Sequence, residues 1–221
     1  MFSTAISQLN TNFKQLFETC LLSSDIEKVD TLLANQTEAI FPAAEHLLRA
    51  FSFFDVEKTK VVILGQDPYH GVNEEGVPEA DGLAFSVPNG TKMPPSLRNI
   101  FKEVGTRQCT DLSDWAEQGV LLINTAWTVV QNKPLSHEKI WKGIFIKFFK
   151  AFAAKCEGVV FLLWGKKAQE YMTCINTRLN RVYMHTHPSP LSRQPFQGCD
   201  HFNKANDYLQ QQNKSQIVWN K

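Results

Sequence analysis

Val61-Val62-Ile63-Leu64-Gly65-Gln66-Asp67-Pro68-Tyr69-His70 is the stretch on which the reading of this 221-residue chain turns. Four apolar residues, three of them β-branched, run straight into a glycine and a polar cluster. An apolar run without alternation is how a strand buried on both faces of a parallel sheet reads. Gly65 and Pro68 end it in a tight loop. Ligands of open α/β sheets lie beyond the carboxyl ends of the strands, which puts Gln66, Asp67, Tyr69 and His70 where chemistry is expected. Asp and Pro are equally at home in a plain turn, so this stretch alone fits both a site and a turn.

The same arrangement recurs downstream. Val120-Leu121-Leu122-Ile123 runs into Asn124-Thr125, and residues 159–164 run into Gly165-Lys166. Arg181-Val182-Tyr183-Met184 runs into His185-Thr186-His187-Pro188-Ser189-Pro190-Leu191-Ser192. Helical patterns lie between these runs, at 97–104, 112–118, 139–155, 167–176 and 201–212. Ser96 is the expected N-cap of the first, and a helix start there suits a phosphate. Upstream, residues 1–54 read as mostly helical, with Phe13, Leu16 and Phe17 at helical spacing, a helix after Ser23-Ser24-Asp25, and another over 43–54. Residues 71–82 read as an acidic, glycine-rich loop and 83–87 as a short apolar return. Strands alternating with helices predict an α/β fold: a three-layer α/β/α domain with a central four-stranded parallel sheet, all four strands buried, and a single domain over 1–221. Four polar strand endings at one edge of one sheet favour a pocket there.

Composition narrows the function classes. The formal net charge is +1, so no global electrostatic footprint marks a nucleic-acid or membrane protein. DNA contacts would have to come from a local patch and loop backbone groups. The five cysteines are dispersed without a Cys-x-x-Cys pair, which argues against structural zinc or an iron–sulfur cluster. Their odd number, with no secretory pattern at the N-terminus, fits free thiols in a reducing, cytoplasmic setting. No apolar run approaches a membrane span.

Taken together, the motifs resemble those of a family 1 uracil-DNA glycosylase over roughly residues 41–219. The resemblance rests on Gly65 to His70; Gly82-Leu83-Ala84-Phe85-Ser86-Val87; Pro94-Pro95-Ser96-Leu97; Gly119 to Asn124 with Thr128-Val129; and His187 to Ser192. Residues 161–165, Gly198-Cys199 and His201-Phe202 also match. It implies an enzyme that hydrolyses the N-glycosidic bond of uracil in single- and double-stranded DNA. It also implies a monomer without metal or cofactor.

The resemblance further implies roles, each with a physical reason. Asn124 reads the base, because a fixed amide offers one donor and one acceptor and mismatches the opposite polarity of cytosine. Tyr69 stands against C5 and excludes the thymine methyl, and Phe85 stacks on the flipped base. Asp67 orients the attacking water and stabilises the cationic sugar. His187 donates to uracil O2 as charge builds on the leaving base. Gln66 contributes backbone N–H contacts, and His70 supports the site from behind. Leu191 is the wedge that fills the gap left by the flipped base. Ser96, Ser189 and Ser192, with Gly165 and Lys166, hold the DNA backbone.

Several positions depart from the family pattern. Residues 71–81 are longer than the usual loop, and Glu79 and Asp81 stand where Gln and His are common, which is expected to bring negative charge near the phosphates. Ile140-Trp141-Lys142 and Pro195-Phe196-Gln197 also differ, as does Lys166. A non-catalytic DNA-binding protein on the same fold would need a spoiled site, and none is visible. A small-molecule α/β hydrolase would need a Gly-x-Ser-x-Gly elbow, and a dinucleotide enzyme a Gly-rich fingerprint after the first strand; the sequence has neither.

Overall fold

The structure is a computed structural model that describes residues 1–105, 107 and 109–220. Its centre is a four-stranded sheet of β2 (Val61–Gly65), β3 (Val120–Asn124), β5 (Val160–Trp164) and β6 (Arg181–His185), in the order β3-β2-β5-β6. Every pairing is parallel, with Val61 opposite Val120 on one side and Val160 on the other. The expected sheet is therefore present. The first three strands are buried throughout. β6 is not: it is an edge strand, half-buried at best, and Met184 is largely exposed. That corrects the expectation of four buried strands. Both β3 and β6 have a single neighbour in the sheet, but β3 is covered on its outer side whereas β6 leaves Arg181 and Met184 exposed.

Helices cover both faces. Along β5 the side chains alternate, so Phe161 and Trp164 point to opposite faces. Phe161 packs on Phe149 of α6 (Glu138–Ala153), with ring centroids 6.1 Å apart. Trp164 packs on Phe202 of α8 (His201–Gln211) at 5.9 Å. The N-terminal helices α1 (Phe2–Gln8), α2 (Phe13–Cys20) and α3 (Ser23–Ala34) lie outside α6. They bind it through aromatic stacks such as Phe17 on Phe148 at 4.8 Å and Phe13 on Phe152 at 5.9 Å.

Element boundaries differ from the sequence reading where local chemistry competes. α3 starts at Ser23, not after Asp25, because Asp25 sits in its first turn and its carboxylate accepts the Leu22 N–H at 2.9 Å. The first helix past the loop, α4 (Pro95–Val104), is capped by Pro94, so Ser96 lies inside its first turn and is not the N-cap. Proline at the first helical position loses nothing, since that N–H has no intrahelical partner. Residues 43–54 form two separate 3₁₀ turns and no α-helix. The segment expected as a helix at 167–176 is α7 (Lys166–Gln169) followed by a 3₁₀ turn. α5 (Ser113–Glu117) leads into β3. Two strands escaped the reading: β1 (Ile40–Phe41) pairs antiparallel with β4 (Val129–Val130), a ladder too short to show periodicity. Residues 83–87 form no strand.

The winding direction reverses about β2. From β2 the chain moves to β3 on one side and then crosses to β5 and β6 on the other. The loops leaving β2 and β5 therefore part above the sheet, and a crevice opens beyond their carboxyl ends.

Candidate active site

A cavity of about 350 Å³ occupies that crevice. Gln66, Asp67, Tyr69 and His70 reach it from the loop after β2, Asn124 from the end of β3, and Phe85 and His187 from the loops around them. Ser96 and Ser189 line it too. The four strand endings singled out in the sequence thus share one edge.

Asn124 is 9% exposed, and its side-chain amide makes no hydrogen bond among the described residues. Gly65, directly opposite it in the ladder, makes room: a Cβ there would stand 2.1 Å from Asn124 Oδ1. The two strand ends are then locked. Thr125 N–H donates to Gly65 O at 3.1 Å, and the Gln66 carbonyl accepts from Ala126 N–H and Thr125 Oγ1, each at 2.9 Å. With its carbonyl tied back, the Gln66 segment presents a fixed edge to the cavity.

Asp67 Oδ2 accepts the Leu135 N–H at 2.8 Å. Leu135 holds a left-handed backbone (φ 63°), which aims that amide at the carboxylate at a conformational cost. Burial pushes the Asp67 carboxyl above its ordinary range, opposed by the Leu135 hydrogen bond and the nearby His70. His70 anchors the same loop, its carbonyl accepting the Asn132 N–H at 2.9 Å.

Tyr69 and Phe85 form adjoining walls. The Tyr69 hydroxyl points to the Phe85 carbonyl at 3.4 Å, and burial raises its pKa far above the ordinary phenol value. Phe85 is held at φ 68° between Trp164 (5.7 Å) and the His187 ring (5.8 Å).

The hydrogen bonds of His187 assign its tautomer. Ser189 N–H donates to His187 Nδ1 at 3.0 Å, so Nδ1 is an acceptor and the neutral ring carries its hydrogen on Nε2. Burial depresses the pKa, which favours that neutral form. Gly165 backs the residue closely: a Cβ there would lie 3.0 Å from His187 Cβ. Gly165 and Lys166 line a smaller adjacent cavity of about 130 Å³ that shares Gln66 and His187. The 187–192 loop braces itself: Ser192 Oγ donates to His187 O at 2.7 Å, and Ser189 Oγ accepts the Leu191 N–H at 3.2 Å. Leu191 stands 93% exposed at its tip; it, Lys166 and Ser192 lie outside the main cavity.

Residues beyond those singled out also build the site. Leu135 was invisible in the sequence because it acts through its backbone. Thr125 had a signal in lying beside Asn124. Asp81 corrects the expectation of extra negative charge near the phosphates: it is buried and ion-paired to Arg49 at 2.9 Å. Glu79 is half-buried against Gly71, whose carbonyl accepts the Glu79 N–H at 3.0 Å.

The chain was compared with known proteins. Residues 51–210 match the model of the uracil DNA glycosylase superfamily. A curated uracil-DNA glycosylase of Ureaplasma parvum serovar 3 is 43% identical over 205 residues, covering 90% of this chain and 93% of that one. Among solved structures, mimivirus uracil-DNA glycosylase superposes with a TM-score of 0.79 at 26% identity, over 92% of this chain and 88% of that one. A variant of mimivirus UNG solved in complex with UGI gives a TM-score of 0.85 at 28% identity, over 94% and 86%. On this family match and this identity, the chain belongs to the uracil DNA glycosylase superfamily.

Proposed function

We propose that this chain excises uracil from DNA by hydrolysing its N-glycosidic bond, leaving an abasic site and free uracil. One observation carries the reading: a single cavity gathers an amide without a partner, a carboxylate, a neutral imidazole and a stacking ring. A stacked base has to leave the duplex to reach such a cavity. Leu191, exposed on its braced loop, fills the vacated space, while Ser96, Ser189, Ser192, Gly165 and Lys166 hold the backbone.

In the cavity the Asn124 amide donates to uracil O4 and accepts from N3–H. Tyr69 blocks the space a C5 methyl would need, and Phe85 stacks on the ring. The Leu135 N–H occupies one carboxylate oxygen of Asp67 and leaves the other to orient a water. As the bond to the base breaks, positive charge on the sugar is met by the Asp67 carboxylate. The water's hydroxyl joins C1′ and its proton passes to Asp67; burial, by raising proton affinity, suits the carboxylate to that task. The base leaves as an anion held at O2 by His187 Nε2–H. Gln66 supplies backbone contacts and His70 steadies the loop.

The substrate is uracil in single- and double-stranded DNA, and the chain acts as a cytoplasmic monomer, folded as one domain over 1–221. Among the described residues no helix is long and apolar enough to cross a membrane. The test is incubation with uracil-containing oligonucleotides of both kinds, followed by alkaline cleavage. Strand breaks at the uracil are expected; their absence with well-folded protein would sink the reading.

A further inference from the structure

Phe85 has a left-handed backbone (φ 68°) that a bulky L-residue adopts only when its surroundings enforce it. The surroundings are unusually specific. Asp81, four residues earlier, is buried; its Oδ1 accepts the Leu83 N–H at 3.0 Å and its Oδ2 accepts the Ser86 hydroxyl. Arg49 closes the cluster from another part of the chain. Its Nη1 lies 2.9 Å from Asp81 Oδ2 and donates to the Asp81 carbonyl at 3.0 Å, while Nη2 reaches Asp111 at 3.3 Å and Ser113 Oγ at 2.5 Å.

Gly82 lets the segment come this close. It has φ 92°, and a Cβ there would stand 2.2 Å from the His46 carbonyl and 2.9 Å from Arg49 Cβ. After Phe85, the Ser86 hydroxyl oxygen also accepts the Leu112 N–H at 3.0 Å; before it, Ala84 N–H donates to Leu122 O of β3 at 3.1 Å. Phe85 is therefore pinned at both flanking residues: Ala84 is held by β3, while Ser86, like Leu83, is held by the buried Asp81 carboxylate. Its carbonyl, turned by the left-handed conformation, is the group that faces the Tyr69 hydroxyl.

We propose that the Arg49–Asp81–Ser86 cluster is a positioning device that forces Phe85 into its left-handed conformation, and so sets the stacking wall of the base pocket and its junction with Tyr69. Asp81 touches no substrate; it acts through Phe85. The functional consequence rests on the uracil-excision reading, whereas the geometric one does not.

Two measurements separate these. The first is a double-mutant cycle on uracil excision with Asp81→Ala, Phe85→Ala and the double variant. Asp81→Ala is expected to lower kcat/KM by about 10- to 100-fold through misplacement of the ring. In the Phe85→Ala background the same change should cost less than about 3-fold, because its intermediary is gone. Losses that multiply, or an Asp81→Ala protein with wild-type activity, would overturn the proposal. Should Asp81→Ala fail to fold by circular dichroism, Ser86→Ala, which removes one hydroxyl of the cluster, replaces it in the cycle. The second is a crystal structure of the folded variant: Phe85 should leave the left-handed region. Phe85 retained near φ 68° refutes the device whatever the enzyme's activity, while an inactive wild-type protein sinks the excision reading alone.

Discussion

Gly65→Ala is the smallest change that should silence base reading. The added methyl would lie 2.1 Å from Asn124 Oδ1 and 3.0 Å from Ala84 Cβ. Strand ends on both sides are tied by hydrogen bonds, so the Asn124 side-chain amide, which is not tied, is what gives way. Rotating it removes two hydrogen bonds from the edge of the base and leaves their uracil partners unpaired in a closed pocket. At about 1–2 kcal/mol for each, the loss is about 2–4 kcal/mol, or about 30- to 1,000-fold in kcat/KM. The fold should suffer less, by about 1 kcal/mol, because the clash falls on the far end of a side chain. Single-turnover excision of a uracil oligonucleotide, with thermal melts of both proteins, reads the two effects apart. Asn124→Ala should mimic the defect, and combining the changes should add little, since both remove the same contact. A Gly65→Ala enzyme within about 3-fold of wild type would refute the placement of Asn124 as the base reader.

Three further outcomes are expected. Asp67→Asn should slow turnover by about 10²- to 10⁴-fold while DNA binding by fluorescence anisotropy changes little; equal loss of both would mean the carboxylate is misassigned. Lowering the pH should reduce the melting temperature: burial depresses the pKa of His201 from 6.5 to about 4, so the unfolded chain takes up the proton first, and stability present above pH 6.5 is lost as pH falls toward 4. His187 and His137 are shifted in the same direction, and His201→Asn, which can keep an acceptor for the Trp164 indole N–H, should flatten part of the slope; a melting temperature constant from pH 7 to 4 contradicts this. Leu191→Ala should leave stability within about 0.5 kcal/mol of wild type, the side chain being almost fully exposed, yet reduce excision from duplex more than from single strands; an equal effect on both would argue against the wedge.

What could be read from sequence follows from what each element owes to its own residues. β2, β3 and β5 are buried on both faces, so their apolar runs declared them; β2 and β3 end in residues that share the main cavity, and β5 ends at Gly165-Lys166 in the smaller one beside it. β6 was overrated because its Val182-Tyr183-Met184 run is apolar in composition while Met184 stands exposed, and its motif lies in the loop beyond it. β1 and β4 span two residues each, below any period. Residues 43–54 carry a helix-like pattern, but Arg49 and Gly82 require the tight turns seen there, and that demand comes from a segment 32 residues away. Asp81 looked like a surface charge for the same reason, since its partner is Arg49. Leu135 holds Asp67 through a backbone N–H, a function that leaves no trace in residue identity.

The central claim is that this cavity recognises and releases uracil from DNA. It is tested most directly by single-turnover assays on three oligonucleotides that differ only in carrying uracil, thymine or cytosine at one position. The account predicts abasic sites at uracil alone, with thymine rejected by Tyr69 and cytosine by Asn124. No abasic sites at uracil, or comparable release of thymine, would contradict it.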